Sequence, residues 1–164
     1  MNALATKAHL HYQKTQVESA DPAKLILMLY DGAIRKLTIA LNAHVEQDLS
    51  TFRGETTKVQ RILTELMAAL DHSRGGDLAL NLARLYDYMI RQLFSGMLKS
   101  EPSMLLEVRT LLGELRSGWQ EAIDKIREEG AAAADDARVA DAPSPVPMMG
   151  QPAPGLMPTL NIAG

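Results

Sequence analysis

The segment from Leu78 to Leu98 carries more apolar surface than one buried stripe can use. Read as a helix turning about 100° per residue, it shows two apolar lines rather than one. Leu78, Leu82, Leu85, Met89 and Leu93 form the first. Ala79, Ala83, Tyr86, Ile90, Phe94 and Met97 form the second, with Leu80 and Leu98 beyond it. Together they span an arc of roughly 220°, where ~100° seats a surface helix on a core. Six large apolar side chains left in water would exceed the few hundred Å² of patch that soluble monomers tolerate. The surplus therefore needs a cover, and three candidates stand open: a neighbouring helix of the same bundle, a second copy in a homodimer, or a partner polypeptide.

The flanking sequence has the same helical period. Asp21-Pro22 opens a first helix, with Asp as N-cap and Pro where no amide hydrogen is missed. It is expected to run to about Asp48. Its main stripe is Ile26, Tyr30, Ala33, Ile34, Leu37, Ala40, Leu41 and Val45, and Leu25, Met28, Leu29 and Ile39 lie off it. A second helix is expected from about Thr51, capped by Ser50 or Thr51, to Asp71, with Phe52, Val59, Ile62, Leu63, Leu66, Ala69 and Leu70 on one face. Arg74-Gly75-Gly76 breaks the chain and Asp77 is placed as cap of the third helix. Pro102 starts the fourth, expected to end near Glu128, with Met104, Leu105, Val108, Leu111, Leu112, Leu115, Trp119, Ala122, Ile123 and Ile126 inward. Short loops force neighbouring helices antiparallel. The expected fold is all-α, an antiparallel up-and-down four-helix bundle over residues 21–129. Residues 1–20 are read as a mobile N-terminal arm with Leu10 and Tyr12 as apolar points. Residues 130–164, which hold six of the chain's eight prolines, are read as a disordered Pro/Ala-rich tail.

Charge and motif content exclude several functions. Acidic and basic side chains balance over residues 1–128, and residues 129–164 supply the whole net charge of −3. A neutral body without a basic stripe argues against nucleic acid. No cysteine is present, so disulfides and thiol chemistry are out. No apolar run reaches the ~18 residues of a membrane span. The first residues lack the layout of a signal peptide, which makes a cytosolic protein the expectation. Gly75-Gly76 lacks the Lys-Ser/Thr of a phosphate loop. No Glu-x-x-His occurs, so a di-metal carboxylate bundle is not expected. His9 and His11 lack partners for a metal, and His44 and His72 sit at helix ends, where a cation suits the dipole. No nucleophile motif is present, and neither an enzyme nor a cofactor is expected.

Three segments resemble a known family. The string Asp21-Pro22-Ala23-Lys24-Leu25-Ile26-Leu27-Met28-Leu29-Tyr30-Asp31-Gly32-Ala33-Ile34, within Tyr12 to Ile34, resembles the start of the flagellar export chaperone FliS family. The block Gly75-Gly76-Asp77-Leu78-Ala79-Leu80-Asn81-Leu82-Ala83-Arg84-Leu85-Tyr86-Asp87-Tyr88-Met89 is similar to that family's second motif, and Trp119 stands where the family often has a tryptophan. The likeness covers about residues 10–128, and the tail beyond Gly130 has no counterpart in it. It implies a cytosolic chaperone that holds the disordered C-terminal segment of flagellin in apolar grooves, blocks premature polymerisation and keeps the subunit competent for flagellar type III export. It also implies an N-terminal cap, and an export gate component and a flagellin-level regulator as further partners. On this reading Ala83, Tyr86, Ile90, Phe94 and Met97 line the groove. Leu25, Met28 and Leu29 extend it on the first helix, and Leu10 and Tyr12 act as the lid. The alternative is a homo-oligomeric helical bundle whose surplus face is a permanent self-interface.

Overall fold

The computed structural model describes residues 21–140, which form four helices: α1 (Pro22–Val45), α2 (Leu49–Ala68), α3 (His72–Lys99) and α4 (Pro102–Ala140). The expected arm, with Leu10 and Tyr12, and the tail from residue 141 lie outside the described residues. The chain divides into two compact units after Lys125.

Aspartates start three of the helices. Asp21 Oδ1 accepts from Lys24 N at 2.8 Å, and Pro22 follows in the first turn. Asp48 Oδ1 accepts from Thr51 N at 3.0 Å. The cap therefore sits ahead of the expected Ser50 or Thr51. Asp71 Oδ1 accepts from Ser73 N and Arg74 N, both at 3.0 Å. This cap begins α3 six residues before the expected Asp77. The Gly75-Gly76 break survives as a kink inside the helix: Gly76 adopts φ 49°, ψ −127°, a backbone state that a side chain would oppose.

Contacts between helices fix the topology. Lys36 pairs with Glu55 at 3.6 Å, and the rings of His44 and Phe52 lie 5.1 Å apart, so residue numbers rise on α1 as they fall on α2. Gln60 donates to Ile90 O on α3 at 3.4 Å, and Thr57 reaches Met97 Sδ at 3.8 Å. Tyr88 donates to Glu107 on α4 at 2.7 Å. Asp31 meets Arg116 at 2.8 Å, and Arg109 donates to Thr38 at 3.4 Å. Each neighbouring pair runs antiparallel, and α4 closes back on α1. The bundle is up-and-down.

Its core is one cluster: Tyr30, Ala33, Leu37 and Ala40 of α1, Phe52, Val59, Leu63 and Leu66 of α2, Tyr86, Met89 and Leu93 of α3, and Leu105, Val108 and Leu112 of α4. Thr56 is buried among them and satisfied by donating to Phe52 O at 2.6 Å. At one end the helices approach closely. A Cβ on Gly96 would fall 2.7 Å from Leu105 Cδ1, 3.0 Å from Met104 Cβ and 3.1 Å from Glu101 O. Ser100, in the left-handed region, ends α3, and Glu101 N donates back to Gly96 O at 2.8 Å.

The second unit differs from expectation. Helix continues past Glu128 and Gly130 to Ala140, and every residue from Ile126 to Ala140 is exposed. The stretch from 130 to 140, placed in a disordered tail, is helical. Its alanine run, Ala131 to Ala134, has the strongest intrinsic helix propensity. The local preference outweighs the one glycine before it. Ile126, expected on the inward face of α4, is exposed, as is Val45 at the end of α1.

Two stability outcomes follow. Gly96→Ala should lower the melting temperature of the bundle, at a cost of about 1–3 kcal/mol for overpacking, read by circular dichroism. The second concerns Glu55, whose carboxyl Lys58 and then Lys36 hold below its usual range. A depressed folded value stabilises above the ordinary carboxylate pKa and is lost as pH falls through the folded value. The melting-temperature gap between wild type and Glu55→Gln should therefore narrow between neutral pH and pH ~3.

Candidate functional site

Two adjoining clefts open at the end of the bundle opposite Gly96. The first, of about 320 Å³, is lined by Ile26 of α1, Leu66 of α2 with Ala69 and Leu70 just after it, Asp71, Arg74 and Gly75 at the start of α3, Leu78, Ala79, Leu82 and Tyr86 further along it, and Trp119 of α4. The second, of about 250 Å³, lies between α3 and α4, against Leu78, Leu82, Glu114, Leu115, Gly118, Trp119 and Ala122. Leu78, Leu82 and Trp119 belong to both. They form the wall shared by the two mostly apolar clefts, whose charged lining residues are Asp71, Arg74 and Glu114.

The groove exists because small residues face large ones. Ala69, Gly75, Ala79, Gly118 and Ala122 line the clefts beside the leucines and the indole, and a Cβ on Gly118 would meet nothing within 4 Å. Leu78 is 66% exposed. An apolar side chain held in this way gains roughly 1.5–3 kcal/mol if a guest covers it fully.

A polar chain supports the groove from beneath. Trp119 Nε1 donates to Tyr30 Oη at 3.0 Å, and the hydroxyls of Tyr30 and Tyr86 lie 2.5 Å apart. The chain ties α4, α1 and α3 together inside the core. Burial pushes the pKa of both phenols up, for Tyr30 helped by its bond to Tyr86. Tyr88 and Gln92, both exposed or half-buried, donate to Glu107, and the hydrogen bond to Glu107 raises the Tyr88 pKa.

The sequence-predicted residues divide. The inward arc of α3 draws on both apolar lines: Met89 and Leu93 come from the first, Ala79 and Tyr86 from the second. Tyr86 is thus a core residue, 1% exposed, and touches the surface only as part of the cleft lining. Phe94 is 52% exposed. Ala83, Ile90 and Met97 are half-buried, and Gln60 and Thr57 place Ile90 and Met97 on the α2 side. These four form a partly open strip, separate from the two clefts. Leu25, Met28 and Leu29 are half-buried on α1, and Leu29 packs on the core. None of the three lines either cleft. Trp119 and Leu115, expected on the inward face of α4, and Leu78 and Leu82 of the first apolar line on α3, to which no guest is assigned, are the residues that line both clefts or the second of them. The signal for them was the glycines and alanines at matching levels of α2, α3 and α4, because helical angles separate faces but not ends.

Among the described residues no helix is long and apolar enough to cross a membrane, and no group of three or more His, Asp or Glu side chains is placed to hold a metal ion.

Comparison with known proteins places this geometry in context. Residues 5–126 match the family model described as flagellar protein FliS. The flagellar secretion chaperone FliS of Bacillus subtilis is 32% identical over 118 residues, 72% of this chain and 87% of its own length. The chaperone FliSB of Pseudomonas aeruginosa is 38% identical over 119 residues, 70% of this chain and 94% of its own. The FliS of Salmonella typhimurium is 38% identical over 114 residues, 68% and 84% of the two chains. A crystal structure of a bacterial flagellar chaperone shares the fold, with TM-score 0.61 at 21% identity over 74% of this chain and 98% of that one.

Tyr30→Phe removes the middle link of the polar chain and leaves two buried groups short of a partner. Urea denaturation should show a loss of roughly 1–3 kcal/mol, with a red shift in the emission of Trp119, the sole tryptophan.

Proposed function

The chain belongs to the FliS family of flagellar proteins, and from that premise we propose that it is an export chaperone for flagellin, binding the disordered C-terminal segment of that subunit. One observation carries the reading: two apolar clefts that meet along Leu78, Leu82 and Trp119. A disordered guest loses roughly 2–5 kcal/mol in ordering, and a long apolar surface offsets that cost. The clefts give one part of it. The strip of Ala83, Ile90, Phe94 and Met97, with Leu25, Met28 and Leu29 of α1, gives the other. Methionines suit such a surface because their unbranched side chains adapt to different neighbours. Tyr86 contributes from the floor of the cleft.

In this role the protein works in the cytosol as a stoichiometric binder and not as an enzyme. It covers the assembly surface of flagellin until the subunit enters the type III export apparatus. Residues 1–20, with Leu10 and Tyr12, serve as a removable cover for apolar surface in the free protein. An export gate component and a flagellin-level regulator are its further partners. A self-associated bundle, the competing use of the same surface, would remain dimeric when flagellin is added.

Leu78→Asp tests the reading. Leu78 is exposed, so the substitution should leave the melting temperature near that of wild type. Its affinity for the flagellin C-terminal segment, measured by calorimetric titration, should fall about tenfold or more. Unchanged affinity in a folded variant would place the guest elsewhere.

A further inference from the structure

Glu114 is the one charged residue that lines the second cleft, and it belongs to a series. On α4, Glu107, Glu114 and Glu121 stand seven residues apart. Seven residues carry a helix forward by about 10.5 Å and leave it about 20° short of two full turns. The three carboxylates therefore form one line along α4, and all three residues are exposed.

The first of the line is used inside the bundle. Glu107 ties α4 to α3 by accepting from Tyr88 Oη and Gln92 Nε2, both at 2.7 Å. Seven residues further along α4 that tie has no equivalent. The helices run antiparallel, so the matching α3 positions lie seven residues earlier, at Asn81 and Leu85. Asparagine is shorter than tyrosine, and leucine has no donor. At this level the seam opens as the cleft beside Leu82, Leu115 and Trp119. Among the described residues no ion pair involves Glu114 or Glu121, and Lys125, one turn beyond Glu121, is not within ion-pair distance of it. The charges lining the first cleft differ, because Arg74 pairs with Asp71 at 3.7 Å. Between the two unpaired carboxylates a Cβ on Gly118 would meet nothing within 4 Å, so the edge is open to a guest.

We propose that the α3–α4 cleft selects a basic amphipathic helix: its apolar stripe fills the space beside Leu82, Leu115 and Trp119, and two Lys or Arg residues seven positions apart pair with Glu114 and Glu121. The spacing matches because a guest helix lying along α4 has the same rise per residue. Charged edges beside an apolar seam set partner and register in this way in coiled coils. A guest of equal hydrophobicity with acidic residues at those positions is turned away by like-charge repulsion. This gives the chemistry of the guest in the proposed chaperone role, and it rests on the reading that a flagellin segment occupies the clefts.

The test titrates the flagellin C-terminal segment into full-length wild type, the double variant Glu114→Gln/Glu121→Gln, and a control, Glu46→Gln/Glu65→Gln, which removes two exposed carboxylates at the end of α1 and on α2. All four positions are exposed, so melting temperatures should stay near that of wild type. Near 0.1 M salt the Glu114/Glu121 variant should bind about two- to tenfold more weakly. The gap should close near 1 M, where charges are screened beyond ~3 Å. The control should bind as wild type does. Equal affinity of wild type and the Glu114/Glu121 variant at low salt, an equal loss in the control, or a loss that persists at high salt overturns the proposal and leaves the chaperone reading intact. A wild type that does not bind the segment at all overturns both. A wild-type homodimer that the Glu114/Glu121 variant dissociates, seen by light scattering, would make the edge a self-interface and also overturn it. Double-mutant cycles then pair each Lys or Arg of the segment, replaced by Gln, with Glu114→Gln and with Glu121→Gln. One basic residue should couple to each glutamate, and the two should lie seven positions apart. Absence of coupling, or coupling at another spacing, overturns the proposal.

Discussion

The contact between the Tyr30 and Tyr86 hydroxyls, extended by the indole of Trp119, is the constraint on which the rest of the molecule depends. It joins three helices through polar atoms inside an apolar core. Leucine packing tolerates small slides of one helix along another, because dispersion contacts are many and individually weak. A hydrogen bond does not, since its strength falls steeply with angle and distance. The chain therefore sets the level at which α1, α3 and α4 meet. That level in turn decides which side chains lie above the core: Leu78, Leu82 and the outer face of Trp119.

The bundle itself was legible in the sequence. Asp21-Pro22, the break at Gly75-Gly76 and Pro102 each mark a helix boundary by a local steric or hydrogen-bonding rule. The stripes of α1, α2 and α4 follow the helical period closely enough to pick out Tyr30, Leu37, Phe52, Leu63, Leu105 and Leu112 as core. Two errors have the same cause. Val45 and Ile126 fit the period and are nonetheless exposed, because a periodic apolar position is buried only where a neighbouring helix runs alongside it. The helical stretch beyond Gly130 was missed for the opposite reason. Composition over the whole tail is poor in large apolar residues, while four alanines in succession favour helix locally.

The candidate site was harder to read. Two apolar lines on α3 suggested one for the core and one for a guest, but the helix turns its inward arc between them. Tyr86, expected in the groove, thus lies in the interior, and Leu78 and Leu82, of the line given no guest, stand in the cleft wall. Angle around a helix is written in the order of residues. Which level of the bundle lacks a covering side chain depends on the lengths of several helices at once and on where small residues coincide. Gly75, Ala79, Gly118 and Ala122 coincide around Trp119, and no single helix shows it.

The pinched crossing at Gly96 has a mechanical consequence. With a backbone carbonyl and two side chains waiting where its Cβ would be, the α3–α4 corner has no slack, while the far end has an open groove. Such a body works as a clothes-peg does: jammed at the spring, it can spread at the jaws. A rotation of a few degrees about that corner would move Leu78 by more than Leu93 or Leu105, and the hydrogen bonds joining Trp119, Tyr30 and Tyr86 set its limit. In the proposed chaperone role, guests of unequal bulk would then be gripped without rebuilding the interior.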